Sequence, residues 1–247
     1  MSQSKNVYHK LRDILQLFEY YDLTFPLSQG NVMWPTMPPL RITKIRHKDR
    51  DMSEAHEVCI TTQDFTHIDA PSHMLRDGFP IDKYGVQSFI LPCTVLDVRN
   101  EKSREIAVSE LREFEAELST YECIVLFTGF KKDPREFVYS WRYLKSETSE
   151  YISTFKNLKL VGIDTPSIAG WSGKVDVMEP LISRREAVIT HLNLMKEGIL
   201  IVEGLWNLGK LFGPGDRIIH GILVAMPLNL IGTDGAPVRA VFLKLKE

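Results

Sequence analysis

The chain has 247 residues, 44% of them hydrophobic and 25% charged, and thirty basic side chains against thirty-two acidic give a net charge of −2. This is the composition of a soluble globular protein long enough to bury a sizeable core. It carries no basic excess for nucleic acid and no polybasic run for an anionic membrane. No apolar run is long enough to span a bilayer, and the N-terminus lacks the apolar core of a secretory signal. The three cysteines, Cys59, Cys93 and Cys123, are scattered and odd in number. They read as reduced core residues, and the expected location is the cytoplasm.

Leu11, Ile14, Leu15 and Phe18 are spaced i, i+3, i+4, i+7, which predicts an amphipathic helix over about residues 8–20. Its stripe suits a packing face, within the chain or against another subunit, more than a membrane anchor. Asp22 to Leu27 reads as a short strand, and Met33 to Pro39 as a loop held extended by prolines, with Trp34 as a surface anchor or a pocket wall. Residues 40–47 and 57–63 look like strands around a charged turn, Lys48 to Asp51, and the second ends at Gln63.

Thr66-His67-Ile68-Asp69-Ala70-Pro71-Ser72-His73 follows at once. On a strand the period of two puts His67 and Asp69 on one face. Pro71 cannot donate to a ladder and turns the chain, so His73 can swing back. Two imidazoles and a carboxylate aimed at one point suit a divalent metal.

Beyond it the pattern alternates strand and helix. Thr94 to Val98 is a short buried strand. Ser109 is placed as a helix cap, with Leu111, Phe114 and Leu118 on one face and Arg112 at the third helical position. Cys123 to Phe127 is an apolar strand, residues 147–157 a polar helix, and Leu158 to Ile163 a strand ending at Asp164-Thr165-Pro166-Ser167. Leu192, Leu194 and Met195 suit a helix closed by Gly198, capped by Ser183 with Glu186 or by Thr190. Ile199 to Val202 is a strand with Glu203 at its carboxyl end. Ile218 to Ala225 is strand-like, Asp234 to Pro237 is a turn, and Val238 to Leu245 is the last strand. The glycines near 209–215 read as turns, because they do not join a strand to a helix as a phosphate loop does.

These elements imply an α/β fold with βαβ units and a mixed β-sheet, and a division into an N-terminal helix, residues 1–20, and a single domain, residues 21–247. In such sheets ligands sit beyond the carboxyl ends of strands, where Asp164 and Glu203 stand. A metal site built only from His67, Asp69 and His73 would be poor in ligands, and His191 and Glu203 flank a unit that can reach the same edge. A carboxylate directly after four apolar residues must be paired or ligating, because burying it bare is costly. His9, His47, His56 and His220 have no carboxylate at ligand-like spacing and read as surface or structural.

The chain resembles the cyclase-like metal-dependent hydrolases of the kynurenine formamidase and isatin hydrolase type. Their hallmark, His-x-Gly-Thr-His-x-Asp-x-Pro-x-His, aligns with Gln63 to His73, and Asp22-Leu23-Thr24, Trp34-Pro35, Thr128-Gly129, Gly162 to Ser167, Glu203-Gly204-Leu205 and Gly235 to Arg239 stand in family order. The resemblance implies a swivelling β/β/α architecture and a homo-oligomer, a dimer or tetramer, acting on a small-molecule substrate. It also implies zinc or manganese, one or two ions per subunit. His67 would then be a ligand, Asp69 a bridging ligand, and His191 and Glu203, twelve residues apart, the later ligands. His73 would be the general acid/base, and Trp34 would line the substrate pocket.

The chain departs from the hallmark at two places. Gln63 replaces the first histidine and is a weak or absent ligand, and Phe65 replaces the glycine and should reshape the pocket. The reaction implied is hydrolysis of a small amide, formamide or cyclic amide, as in an arylformamidase that takes N-formylkynurenine to kynurenine and formate. Two other readings stay open: a catalytically altered member that binds a small molecule, and a metal-dependent lyase or cyclase.

Overall fold

A computed structural model describes residues 2–32, 34–173 and 179–246, so Met33 of the proline-rich loop lies outside the described residues. The strands are β1 (Phe18–Asp22), β2 (Arg41–Arg46), β3 (Ala55–Cys59), β4 (His67–Asp69), β5 (Ile90–Asp97), β6 (Glu105–Ile106), β7 (Cys123–Phe127), β8 (Tyr143–Leu144), β9 (Leu160–Ile163), β10 (Leu200–Glu203), β11 (Ile218–Pro227) and β12 (Gly235–Leu245). The α-helices are α1 (Ser2–Gln16), α2 (Lys48–Asp51), α3 (Val108–Arg112), α4 (Glu115–Thr120), α5 (Ser146–Ser153) and α6 (Arg184–Met195).

The fold is mixed α/β. Its main sheet has the order β1-β12-β11-β5-β7-β9-β10-β4, and β4 also pairs with β12. Seven strands therefore close into a ring, with β1 attached outside β12. The pairs β5–β7, β7–β9 and β9–β10 are parallel, as strands joined through helices must be. The other pairs of this sheet are antiparallel.

Alternation along the strands divides the core in two. Cys93, Val95, Cys123, Val125, Leu160, Leu200, Val202 and Ile68 share one cluster with Leu223 and Phe242 and fill the ring. Leu96, Ile124, Leu126, Val161, Ile163 and Ile201 turn the other way and pack under Leu111, Leu118, Ile152 and Leu194 of the helices. Because Ile68 faces the ring interior, its neighbours His67 and Asp69 face the helix side.

Several boundaries differ from the sequence expectations. Helix α1 ends at Gln16, and Phe18 begins β1, which pairs with the far end of β12 through Phe18–Leu245. Phe18 is thus not on the helical stripe, and Leu23 to Leu27 lie beyond the strand. The strands expected at 40–47 and 57–63 are β2 and β3, which end at Arg46 and Cys59, so Gln63 lies in a turn. The charged turn at Lys48–Asp51 winds into one helical turn, α2.

The helix expected to be capped by Ser109 starts earlier and breaks in two. Glu110, not Arg112, is its third residue, and its carboxylate accepts the Ala107 N–H at 2.8 Å. Ser183 does cap α6, accepting the Glu186 N–H at 3.1 Å. The last strand begins at Gly235 rather than Val238, because Gly235, Ala236 and Pro237 already pair with β4. Cys59 is exposed, unlike the buried Cys93 and Cys123, since the β2–β3 hairpin stands clear of the core.

Candidate metal centre and its cavity

β4 and β10 run antiparallel with Glu203 directly opposite His67 and Ile201 opposite Asp69. The side-chain alternation that hides Val202 and Ile68 in the ring puts His67, Asp69 and Glu203 together on the helix side. All three are buried, and one ligand atom from each lies within 4.8 Å of the others. His67 Nε2 is 3.4 Å from Asp69 Oδ1 and 3.6 Å from Glu203 Oε2. α6 crosses this face and brings in His191, whose Nε2 is 3.4 Å from Glu203 Oε1.

Both imidazoles are held the same way round. Nδ1 of His67 donates to the Phe65 carbonyl at 3.2 Å, and Nδ1 of His191 donates to the Ala187 carbonyl at 2.8 Å. Each ring is thereby turned with Nε2 toward the carboxylates, and Nε2 is the nitrogen a cation would take in place of a proton. Glu203 is steadied by the Ile168 N–H at 2.6 Å and the Ser167 hydroxyl at 3.3 Å. Asp69 is different: among the described residues neither of its buried oxygens has a hydrogen-bond partner. Burying a bare carboxylate is costly unless a cation pairs with it. Burial alone would lower the His67 pKa, but Asp69 and Glu203 outweigh it and raise the imidazole to about 9. The pocket's appetite for positive charge is what a divalent cation satisfies, so the donors fit one.

His73 stands apart from this group. It sits in the single turn Pro71–His73, its ring centroid is 6.3 Å from that of His191, and its Nδ1 donates to Asp234 at 2.9 Å. Burial would lower its pKa, but the Asp234 and Asp69 carboxylates raise it. Gln63 also points to Asp234, with its amide nitrogen 3.1 Å from Oδ2. Since an ionised carboxylate only accepts, the Gln63 amide must turn its NH2 that way.

A cavity of about 400 Å³ opens over these groups. Gln63, His67, His73, His191 and Glu203 form its polar floor, and Trp34, Met37, Trp171 and Val188 line its walls. The Trp34 ring packs at 5.1 Å from Trp171, and its backbone N–H donates to Asp64 at 3.2 Å. Phe65 does not line this cavity. It lines a neighbouring one of about 20 Å³ that shares Trp34 and Gln63. There its ring stacks on Phe25 at a centroid distance of 5.5 Å, under the Lys132 ammonium. Phe65 has φ +59, a left-handed conformation that a glycine adopts without cost.

Asp164, expected near the ligand site, instead gathers the backbone N–H groups of Thr128, Gly129 and Phe130 and holds that loop. Of the other histidines, His220 stacks on Tyr121 at 4.9 Å. Sequence reasoning assigned no role to Asp234, Ser167 or Trp171. The acid immediately before the Gly-Ala-Pro-Val-Arg motif, and the serine closing Asp-Thr-Pro-Ser, were the available signals.

A family model described as putative cyclase matches residues 21–169. The chain belongs to this cyclase family. A kynurenine formamidase of Bacillus cereus is 30% identical over 226 residues, covering 90% of this chain and 96% of that protein. Two solved structures share the fold. An isatin hydrolase bound to the product analogue thioisatinate superposes with a TM-score of 0.77 at 22% identity, covering all of both chains. Isatin hydrolase A from Labrenzia aggregata, bound to benzyl benzoate, gives 0.74 at 19% identity over 99% of this chain and all of that one.

Proposed function

We propose that the protein is a metal-dependent hydrolase of a small amide, formamide or cyclic amide, cleaving C–N bonds other than peptide bonds in the manner of an arylformamidase. Family membership and the formamidase relative support the class. One observation carries it: both oxygens of Asp69 are buried with no hydrogen bond among the described residues, beside two imidazoles whose Nε2 atoms are turned toward Asp69 and Glu203. His67, Asp69 and Glu203, with His191, would hold one divalent cation, zinc or manganese. When bound, such an ion polarises a carbonyl and lowers the pKa of water.

The chain's own groups do the rest. Trp34 and Trp171 clamp a flat substrate and keep bulk water out of the cavity. His73 takes the proton from the attacking water through Nε2, the nitrogen not engaged with Asp234. As the new C–O bond forms and the C–N bond breaks, His73 returns that proton to the leaving nitrogen, so the amine departs neutral.

The same reading carries a homo-oligomer. Leu11, Ile14 and Leu15 of α1 are each more than half exposed and would be covered by a second copy. It also carries a cytoplasmic setting, where the free thiol of Cys59 stays reduced.

The test is elemental analysis of purified protein with an assay on N-formylkynurenine and aryl formamides. One divalent ion per chain is expected, with hydrolysis abolished by chelation and restored by zinc or manganese. Full activity in metal-free protein overturns the mechanism, and a product other than amine and formate overturns the reaction.

A further inference from the structure

Asp234 belongs to none of the groups that would hold the metal, yet three side chains converge on it. Its Oδ1 accepts the Thr62 hydroxyl at 2.8 Å. Its Oδ2 accepts both the Gln63 amide nitrogen at 3.1 Å and His73 Nδ1 at 2.9 Å. Thr62 and Gln63 lie on the turn that leads into β4, His73 on the turn that leaves it, and Asp234 directly before β12, the strand paired with β4. The Ala70 N–H donates to the Asp234 carbonyl at 2.9 Å, so the backbone of this residue is tied to the same turn. The carboxylate thus bridges both ends of β4 through Gln63 and His73, which line the cavity. Among the described residues it alone accepts from His73 Nδ1, the ring nitrogen turned away from proton transfer.

We infer that Asp234 is the positioning residue of His73, and that Gln63 serves this carboxylate rather than a metal. By accepting from Nδ1, Asp234 fixes the tautomer in which Nε2 is the acceptor for the water proton, and it pins the ring against rotation. Thr62 and Gln63 each hold one more of the carboxylate's acceptor positions, which restrains it from swinging to the cation. This inference rests on the hydrolase reading for its kinetic consequence, but not for its structural one.

The experiment therefore has two arms. In the kinetic arm, wild type, Asp234→Ala, Asp234→Asn, His73→Ala and the double variant Asp234→Ala/His73→Ala are assayed as metal-loaded proteins. The substrates are p-methoxyformanilide, whose amine needs a proton to leave, and p-nitroformanilide, whose amine needs little help. Asp234→Ala should cut kcat about a hundredfold on the methoxy substrate and less than tenfold on the nitro substrate. KM and metal content should barely move. Asp234→Asn, which still offers an acceptor oxygen, should recover part of the loss. The double variant should be no worse than His73→Ala alone. Equal losses on both substrates, or losses that multiply in the double variant, overturn the inference.

The spectroscopic arm needs no turnover. Nitrogen-15 spectra of histidine-labelled protein should show His73 as the Nδ1–H tautomer with a protected proton, and Asp234→Ala should abolish both while leaving His67 and His191 unchanged. An unaltered His73 signal overturns the inference even if activity falls. A wild type that cleaves neither substrate overturns the hydrolase reading, and this arm still decides the role of Asp234. Gln63→Met should give a smaller loss of the same pattern with unchanged metal content; a fall in metal content shows Gln63 to be a ligand.

Discussion

Gly204 and Phe65 meet backbone to backbone: a Cβ placed on Gly204 would collide with the Phe65 carbonyl oxygen, the oxygen that accepts the Nδ1 proton of His67. Gly204 follows Glu203 directly and has φ +65. One close approach therefore fixes two proposed ligands relative to each other. Gly204→Ala adds left-handed strain of about 1–2 kcal/mol to that collision. For a chain of this size the melting temperature should fall by roughly 5 °C or more. Metal content should fall with it, and calorimetry with elemental analysis checks both. An unchanged melting temperature and metal load would count against the linkage.

Restoring the missing hallmark histidine is the converse test. In Gln63→His an imidazole replaces an amide now turned to Asp234. If the loss of that ligand is why one ion is expected, the variant should bind two divalent ions per chain where the wild type binds one. Mass spectrometry under native conditions counts them. A count unchanged by the substitution refutes the explanation.

Lys132 gives a pH dependence of known sign. Its ammonium sits over the rings of Phe25 and Phe65, 4.2 and 4.5 Å from their centroids. Burial lowers its pKa from 10.5 to about 8, against the pull of Asp64. A cation whose folded pKa is depressed costs stability while both states are charged, and the cost disappears as the folded state gives up its proton first. The Lys132 contribution to stability should therefore rise between about pH 8 and pH 10.5, opposite in sign to that of His67, which falls toward pH 9. Lys132→Met should stabilise the protein at pH 7 by about 2–3 kcal/mol and flatten that rise. Denaturant titrations at pH 7 and 10 measure it; a variant less stable at pH 7 contradicts the argument.

Trp34 should govern aryl recognition. Its ring lines the cavity and packs against Phe137, Trp141 and Trp171. Trp34→Ala should raise KM for aryl formamides about tenfold, the worth of one aromatic contact. N-formyl alkylamines should be affected much less. An equal rise for both kinds of substrate would assign Trp34 to the fold instead.

The sequence made the buried strands legible because they are continuous apolar runs: Cys123–Phe127 stands where expected, and β9 and β10 lie within or one residue beyond the stretches read as strands. His67 and Asp69 could be placed on one face because a strand's period is two, whatever it pairs with. β1 is hidden in the sequence because Phe18 continues the helical spacing of Leu11 and Ile14, and only its pairing with β12 shows it to be extended. Asp234 was invisible for a related reason. Its partners His73 and Gln63 lie 161 and 171 positions away, and no local pattern records such a contact. Phe65 is an opposite case. The sequence showed a bulky residue in place of a glycine, but its ring turns into a neighbouring aromatic cluster, away from the large cavity.

The three residues of β4 close the ring of strands, and both of their partners come late in the chain, at Ile201–Glu203 and Gly235–Pro237. His67 and Asp69 leave the ribosome early but acquire walls only when β10 and β12 dock on either side. A nascent or truncated chain therefore has no finished centre to sequester metal or attack a metabolite. The two proposed ligands thus gain their walls only once residues 201–203 and 235–237 have been made, as a consequence of topology alone.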